Sequence, residues 1–338
     1  MLGDYITFAS ARATQADALE TAIARISAEV RAQQAAGGFV GPGPVFVGIG
    51  ASLAAACAPV WELRSRGIHS WRLGAGDHPL PFPVSQHPII GISQSGKSTE
   101  TLAVLGSIDE PLRYAVVNND PSPVSDLARA VLSLGNIPDS YASTIGYTAT
   151  VTALGMIAEA WDGGELDPGW ATLPELFRAT EDSVGARAAD LAATFDGVTT
   201  ADFVGAGPSV GSAEAGALLF REVARVHSAG MSTRQYLHGS MESAGDGVHV
   251  LFGDDREIEV ARTLSEAGHR VILVSGESVP EAPRLQTITL PQVAPSQRAV
   301  LEALVMQILV GEVAHLHGIE IEEFVFHNAD TKVEATEA

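Results

Sequence analysis

Hydroxyl side chains are concentrated in one short segment, residues 91–101, which reads GISQSGKSTET. The segment follows the residues HPII, an apolar pattern typical of the end of a β-strand. Its serines and threonines surround Lys97, one of only two lysines in the chain. Hydroxyl and backbone N–H groups donate hydrogen bonds and a lysine adds positive charge, so this composition favours an anion such as phosphate. The residues expected to contact the anion are Ser93, Gln94, Ser95 and Ser98.

Two further turns carry small hydroxyl residues directly before predicted helices. Ser52 lies in GIGASLAA, and Ser143 and Thr144 lie in YASTIGYT. Ligands of open parallel sheets bind beyond the carboxyl ends of the strands, so we expect the three turns to gather there. A helix N-terminus adds free N–H groups and a partial positive charge. The alternative is that these hydroxyls only cap helices.

Composition and charge restrict the possible partners. The chain has 338 residues and a net charge of −21, which argues against a general attraction to nucleic acid or to anionic membranes. A single cysteine, Cys57, excludes a disulfide framework and a cysteine-based metal site. The sequence shows no long uninterrupted apolar run and no secretion signal at its start. We therefore predict a cytoplasmic protein that does not cross a membrane.

Apolar strand-like segments alternate with helical segments along the whole chain. The segments VFVGIGAS and DFVGAGPS share an apolar run, a G-x-G turn and a serine at the same spacing, and they open the two halves. Alternation of this kind indicates parallel sheets with helices on both faces. The sequence therefore predicts an α/β protein of two homologous domains that divide near residues 165–175.

The glycine turns do not match nucleotide-binding motifs. Gly48 and Gly50 begin a G-x-G-x-x-G pattern, but Leu53 stands where the third glycine belongs. No acidic residue ends the next strand, HSWRLGAG, where a ribose partner is expected. No P-loop spacing precedes Lys97. Nicotinamide and ATP binding by these motifs are therefore disfavoured.

The hydroxyl segment resembles a known phosphosugar loop. SQSGKSTET resembles the signature of sugar isomerase (SIS) domains, and ASTIGYT resembles a later Ser-Thr turn of the same domain. From about residue 25 onward the chain resembles the isomerase half of glucosamine-6-phosphate synthase and its stand-alone relatives, the sugar-phosphate deaminases and deglycases. The resemblance implies two tandem SIS domains, each a flavodoxin-like three-layer αβα fold. The implied organisation is an N-terminal helix over 1–24, domains over 25–168 and 169–325, and an active-site tail over 326–338.

In the second half, GALLFREVARVHSAGMSTRQYLHGSMES resembles the catalytic stretch of the synthase isomerase domain. The match places Glu222 at the position of the base that moves a proton between C1 and C2, a step that suits one carboxylate. It places His238 at the position of the histidine that assists opening of the sugar ring, a role that suits a group titrating near neutral pH. The alternatives are a surface glutamate paired with Arg225 at helical spacing and a capping or packing histidine.

The tail HNADTKVEATEA resembles the C-terminal loop of the family, which carries a lysine. The resemblance implies that Lys332 can form a Schiff base with an open-chain ketose, and attack on the ketone requires the uncharged amine. The alternative is a mobile polar tail, since chain termini commonly fray.

Several reactions remain open. We expect no N-terminal glutaminase domain like that of the synthase, because Leu2 follows Met1 where the nucleophilic cysteine of that domain would stand. We therefore expect a deaminating isomerase that acts on glucosamine 6-phosphate or a related amino-sugar phosphate. The alternatives are a fructosamine-6-phosphate deglycase, an aldose–ketose isomerase, or a non-catalytic phosphosugar-binding regulator. The chemistry needs no metal or organic cofactor, and the resemblance implies a homodimer in which the neighbour's histidine loop completes each sugar site.

Overall fold

The structure is a computed structural model, and it describes residues 5–322, 324–326 and 328–333. The chain divides into two compact units. The first unit contains the chain up to Ala171 together with the tail from Val325 onward, and the second contains Thr172–Phe324. The tail that carries Lys332 thus belongs to the first unit rather than to the second, which it follows in sequence.

The first unit is built on a five-stranded parallel sheet of order β2-β1-β3-β4-β5. β1 and β3 are buried along their entire length, which explains why both read as continuous apolar runs rather than alternating patterns. The strands are β1 (Val45–Gly48), β2 (Trp71–Gly74), β3 (Ile89–Ser93), β4 (Arg113–Val117) and β5 (Ala130–Ser133). The helices are α1 (Phe8–Ala35), α2 (Ala51–Ala55), α3 (Cys57–Ser65), α4 (Thr99–Gly106), α5 (Pro123–Leu127) and α6 (Ile145–Ala160).

Helix α6 is the central helix of the first unit. All 16 of its residues are buried, and the helix is apolar around its whole circumference, as expected for a core helix. It packs against α1, whose Gln15 amide donates to the Thr148 hydroxyl at 3.3 Å. Helix α1 begins after an N-cap hydroxyl at Thr7 and runs without interruption to Ala35. It therefore crosses residue 24, where the sequence analysis ended the N-terminal helix.

The second unit repeats the topology of the first. Its parallel sheet has the order β10-β9-β8-β6-β7, so both sheets read 2-1-3-4-5 when strands are counted within their own unit. The predicted α/β fold with two parallel sheets is confirmed. The strands are β6 (Thr200–Gly205), β7 (His227–Ser232), β8 (Val248–Phe252), β9 (Arg270–Ser275) and β10 (Leu285–Thr289). The helices are α7 (Leu173–Gly185), α8 (Ala188–Ala192), α9 (Val210–Val223), α10 (Thr233–Leu237), α11 (Arg256–Glu266) and α12 (Pro295–Leu316).

Strand β7 is the element that the sequence analysis did not predict. Its residues HSAGMS include two serines, an alanine and a glycine, and they lack the β-branched side chains that usually mark a strand. The strand forms because the edge of β6 offers a complete parallel ladder from Thr200 to Gly205. Gly230 is required there, since a Cβ at this position would lie 2.5 Å from the Cα of Glu214 on α9.

Among the described residues, one helix, α12, has the length and apolar composition needed to cross a bilayer. However, 72% of its most apolar window is buried inside the protein. The core side chains of the second unit include Val300, Leu304 and Val310 of this helix. The burial of α12 is that of a core helix.

A buried carboxylate at the end of α6 gives the first unit a pH-dependent stability. Burial raises the pKa of Glu159 from 4.5 to about 7, although hydrogen bonds from the Asp167 N–H and the Trp170 indole oppose the shift. The folded protein therefore binds the proton more tightly than the unfolded chain, and the stability from this group is lost as pH rises from 4.5 to 7. We expect Glu159→Gln to remove about 1–3 kcal/mol of that pH dependence of the unfolding free energy.

Urea unfolding at pH 5 and pH 8 measures this difference. The matched control is Glu165→Gln, because Glu165 is exposed and lies in the connection that follows α6. Parallel pH profiles for the wild type and Glu159→Gln would show that Glu159 titrates as an ordinary surface carboxylate.

Candidate functional site

Two loops of the first unit emerge side by side where the strand order reverses. In a sheet of order 2-1-3-4-5, ligands bind beyond the carboxyl ends of the first and third strands. β1 ends at Gly48 and its neighbour β3 ends at Ser93. Ser52 follows β1 as the second residue of the short helix α2, so it is not the N-cap of that helix. Gly48 lets α2 pack closely against the end of β1, because a Cβ at Gly48 would lie 3.0 Å from the Cβ of Ser52.

Residues 93–98, which we call the hydroxyl loop, form a tight turn whose own hydroxyl groups point inward. The Ser93 hydroxyl accepts from the Ser98 N–H and the Ser95 hydroxyl accepts from the Lys97 N–H, each at 3.4 Å. Hydrogen bonds of this length are weak. The N–H groups of Lys97 and Ser98 and the two serine hydroxyls thus surround the loop. They can exchange these weak contacts for shorter hydrogen bonds to a phosphate oxygen.

The loop is fixed to the rest of the sheet by its backbone. The carbonyl of Gln94 accepts from the N–H groups of Asn118 and Asn119, both at 3.1 Å. Gly96 has a φ of +66°, and a Cβ on it would lie 2.0 Å from the Ser122 hydroxyl. A side chain at Gly96 would therefore be strained by the backbone and would also clash with α5.

We expect Gly96→Ala to destabilise the protein by about 1–3 kcal/mol and to weaken phosphosugar binding. The reason is that the loop must move away from Ser122, the N-cap of α5. Chemical unfolding and equilibrium titration with a sugar phosphate measure the two effects. The control is Gly106→Ala in α4, where a Cβ meets nothing within 4 Å. The loop geometry described above would be wrong if both variants had wild-type stability and affinity.

Ser98 has a structural partner of its own. It is the N-cap of α4, and its side chain accepts from the Thr101 N–H at 3.5 Å while donating to Glu100 at 3.1 Å. This is the capping alternative that the sequence left open. The cap fixes the point at which the loop becomes a helix.

The turn before α6 is organised by Asp139, a residue that the sequence analysis did not select. Its carboxylate accepts from the Ser143 hydroxyl at 2.7 Å, the Thr144 hydroxyl at 2.7 Å and the Gly146 N–H at 2.9 Å. The side chain of Thr144 is fully buried by these contacts. The expectation of free N–H groups at this helix start was incomplete, because Asp139 already accepts from the first turn.

The Asp139 turn and the hydroxyl loop lie against each other. A Cβ on Gly146 would be 3.1 Å from the Cγ of Gln94 and 2.9 Å from the Ser143 hydroxyl. The structure therefore brings Gln94 and Ser143 together, as the sequence analysis expected for these two turns. Asp139 carries no local signal, because it lies too far before Ile145 to be read as a helix cap.

The tail returns to the hydroxyl loop and places Lys332 beside it. Ser98 and Lys332 form an antiparallel β-bridge, and the Val333 N–H donates to the Lys97 carbonyl at 3.0 Å. The Thr99 hydroxyl also donates to the Asp330 carbonyl at 3.0 Å. The described part of the tail is thus docked on the first unit.

Glu222 lies in the second unit, in the last turn of α9, and is half-buried. Burial raises the pKa of its carboxyl group to about 7. Helix α9 ends at Val223 and the φ of Arg225 is +54°, so Arg225 is not at helical spacing from Glu222. The helical pairing considered as an alternative therefore does not apply. A carboxyl group of this kind can accept and return a proton near neutral pH.

His238 also lies in the second unit, immediately after α10, and is exposed. Its backbone N–H donates to the carbonyls of Arg234 and Gln235, and the next residue, Gly239, has a φ of +140°. Helix α10 is held on the core by Tyr236, which is buried and whose hydroxyl lies 3.1 Å from the buried imidazole of His249. Burial and the charge of Asp202 both raise the pKa of the Tyr236 hydroxyl.

No protein-family model matches the chain. Among curated proteins, it is 32% identical over 165 residues to a glutamine–fructose-6-phosphate aminotransferase (isomerizing) of Methanothermobacter thermautotrophicus, which covers 48% of this chain and 28% of that protein. It is 27% identical over 254 residues to the enzyme of the same name from Rhizobium leguminosarum bv. viciae, which covers 69% of this chain and 42% of that protein. The chain thus spans less than half the length of these relatives.

Solved structures are similar over nearly the whole chain, each at 16% identity. The C-terminal domain of glucosamine-fructose-6-phosphate aminotransferase from Francisella tularensis superposes with a TM-score of 0.80 over 94% of this chain and 97% of that one. Tagatose-6-phosphate ketose/aldose isomerase from Escherichia coli gives 0.76 over 95% and 97%. Glucosamine-6-phosphate deaminase from Thermotoga maritima gives 0.74 over 97% and 99%. The chain is therefore similar in sequence to part of the isomerizing aminotransferases, and it shares the fold of enzymes that act on sugar phosphates.

Proposed function

We propose that the chain binds glucosamine 6-phosphate or a related amino-sugar phosphate and converts it, with water, to a ketose phosphate and ammonia. The observation that carries this proposal is the pairing of the Lys332 segment with the hydroxyl loop at residues 97–98. A module that only bound a phosphosugar would need the loop but would have no use for a lysine-bearing segment paired with it. The similarity to isomerizing aminotransferases supports the same class of chemistry.

The phosphate is assigned to the loop of residues 93–98. Ser93 and Ser95 supply hydroxyl donors whose present contacts are weak, and Lys97 supplies charge in a chain that is strongly acidic overall. Local donors are needed because the net charge of −21 repels an anion at long range. Ser52 and Ser143 are assigned to the rim of the same site.

The reaction is assigned to three side chains in sequence. His238 assists opening of the sugar ring, which gives an aldehyde at C1 and an amine at C2. Glu222 removes the C2 proton and returns it to C1, while a proton passes from the C2 amine to the C1 oxygen, so that the amine becomes an imine and the aldehyde an alcohol. Lys332 adds to that imine and ammonia leaves. Water then releases the ketose phosphate and the free lysine.

Incubation of the purified protein with glucosamine 6-phosphate tests the proposal, with ammonia and fructose 6-phosphate assayed separately. Release of both products in equal amounts is expected. Release from fructosamine 6-phosphate alone would identify a deglycase, and interconversion of aldose and ketose phosphates without ammonia would identify a simple isomerase. Binding of the sugar phosphates without any turnover would identify a regulator. The Lys332→Ala variant controls for contaminating activity.

We further propose that the active form is a cytoplasmic homodimer in which the histidine loop of one copy completes the sugar site of the other. The exposure of His238 on its unit is compatible with such a contact. We expect light scattering at micromolar concentration to give twice the mass of 35.2 kDa. An active monomer under these conditions would contradict this arrangement.

A further inference from the structure

Three segments that are distant in sequence converge on the side chain of Lys332. The Lys332 ammonium lies 3.3 Å from the Tyr5 hydroxyl, and it lies 5.9 Å from the ring centroids of both Tyr5 and Tyr141. The two rings meet edge to face, with centroids 5.0 Å apart and an interplanar angle of 61°. An ammonium within about 6 Å of an aromatic face is attracted by its quadrupole. The 3.3 Å and 5.9 Å distances place the ammonium beyond the Tyr5 hydroxyl and close to that ring's plane, so Tyr5 offers its oxygen while Tyr141 offers its ring. We call these two residues the tyrosine pair.

Each member of the tyrosine pair is held in place by its backbone. The Ile6 N–H donates to the Asp139 carbonyl at 3.1 Å, which fixes the residue after Tyr5. Tyr141 lies inside the turn that the Asp139 carboxylate closes through Ser140 and Thr144. The same aspartate therefore orders both tyrosines and the first turn of α6.

The backbone of the tail is fixed independently, by its bridge to Ser98 and its bond to the Lys97 carbonyl. These contacts place the Cα of Lys332 but leave its long side chain many rotamers. The Lys332 side chain is exposed, so packing alone does not restrict it. Among the described residues, the tyrosine pair makes the contacts that fix the position of the amine.

We propose that Tyr5 and Tyr141 are positioning residues that hold the amine of Lys332 near the hydroxyl loop before the amine reacts. This inference rests on the function proposed above. In the resting protein the ammonium lies against the Tyr5 hydroxyl and near the Tyr141 ring. After it gives its proton to solvent, the amine adds to the C2 imine of the substrate and ammonia leaves. With fructose 6-phosphate, the same amine adds to the C2 carbonyl and water leaves as the imine forms. A preset amine reacts faster because less orientational freedom is lost in the step.

Competitive acetylation tests the contact itself, without any sugar. The chain contains only two lysines, so Lys97 serves as an internal reference for Lys332 in each sample. With limiting acetic anhydride, Tyr141→Leu removes the ring contact and Tyr5→Leu removes the hydroxyl contact. Each variant is expected to raise the ratio of Lys332 to Lys97 labelling about two- to fivefold, the factor for one weak exposed contact. Tyr141→Phe keeps the ring and should retain the wild-type ratio. An unchanged ratio in both leucine variants would overturn the inference.

Borohydride trapping with fructose 6-phosphate tests the positioning role. The rate of adduct formation on Lys332, followed by peptide mass spectrometry, is expected to fall roughly tenfold in Tyr141→Leu. The equilibrium affinity for fructose 6-phosphate should stay near wild type, and Tyr141→Phe should restore the rate. Parallel losses of affinity and trapping rate, or a failure of phenylalanine to rescue, would show that the rings serve only packing. Absence of any adduct in the wild type would contradict the proposed lysine chemistry, and the acetylation ratio would still decide whether the tyrosine pair holds the amine.

Discussion

Replacing Glu222 by glutamine is expected to lower turnover and C2 proton exchange by about 10²–10⁴-fold, the usual contribution of a positioned general base. Glutamine keeps the shape and hydrogen-bonding capacity of the side chain but cannot accept the proton. Phosphosugar affinity should remain near wild type, since the phosphate is assigned to the loop of residues 93–98.

The pH dependence should identify the same group. Burial raises the pKa of Glu222 to about 7, and only the ionised carboxylate can act as the base. The exchange rate of the wild type is therefore expected to fall as pH drops below about 7, where Glu222 becomes protonated. An ordinary surface glutamate would retain full activity down to a pH near 5.

Exchange of the C2 proton with deuterated water, measured on an established substrate from pH 5 to pH 9, provides both results. The matched control is Glu266→Gln, which removes an exposed carboxylate from α11 of the same unit. Wild-type exchange in Glu222→Gln would mean that another group carries the proton.

The Ser93→Ala, Ser95→Ala double variant is expected to lose affinity for a sugar phosphate by tenfold or more. Each hydroxyl that donates to a charged oxygen contributes about 1.5–3 kcal/mol, and about 1.4 kcal/mol is already a factor of ten. The loss should concern the phosphate, so the affinity for inorganic phosphate should fall in parallel with that for the sugar phosphate. The weak affinity for unphosphorylated glucosamine should change little.

Isothermal titration with the three ligands distinguishes these effects. Ser93 is buried and accepts from Ser98, so the thermal stability of the double variant must be measured beside its affinity. Ser65→Ala is the matched control, because its exposed hydroxyl bonds only locally to the Glu62 carbonyl. Unchanged affinity in a stable double variant would place the phosphate elsewhere.

Much of the fold could be predicted because its signals are local. The buried strands β1 and β3 read as apolar runs, and the paired segments VFVGIGAS and DFVGAGPS revealed the repeat before the two 2-1-3-4-5 sheets were seen. Parallel strands place the loops after their carboxyl ends at one edge of the sheet, so the gathering of the hydroxyl-bearing turns could be expected. The adjacency of the Ser52 and Ser93 loops depends on the pairing of β1 with β3, which the structure shows. Strand β7 could not be predicted, because its pairing depends on the free edge of β6 rather than on its own residues.

The residue types of the sequence selected the hydroxyl loop, and the resemblance to the synthase isomerase domain selected Glu222, His238 and Lys332. The sequence could not determine how the polar groups are paired, because hydrogen-bond partners are chosen by three-dimensional proximity. Only the tertiary structure shows that Asp139 accepts from the start of α6, and that Ser98 serves as a helix cap. It also shows that the amine of Lys332 lies between the Tyr5 hydroxyl and the Tyr141 ring, which are far apart in the sequence. Contacts over a separation of 327 residues leave no periodicity or motif in the sequence, so they depend on the folded chain.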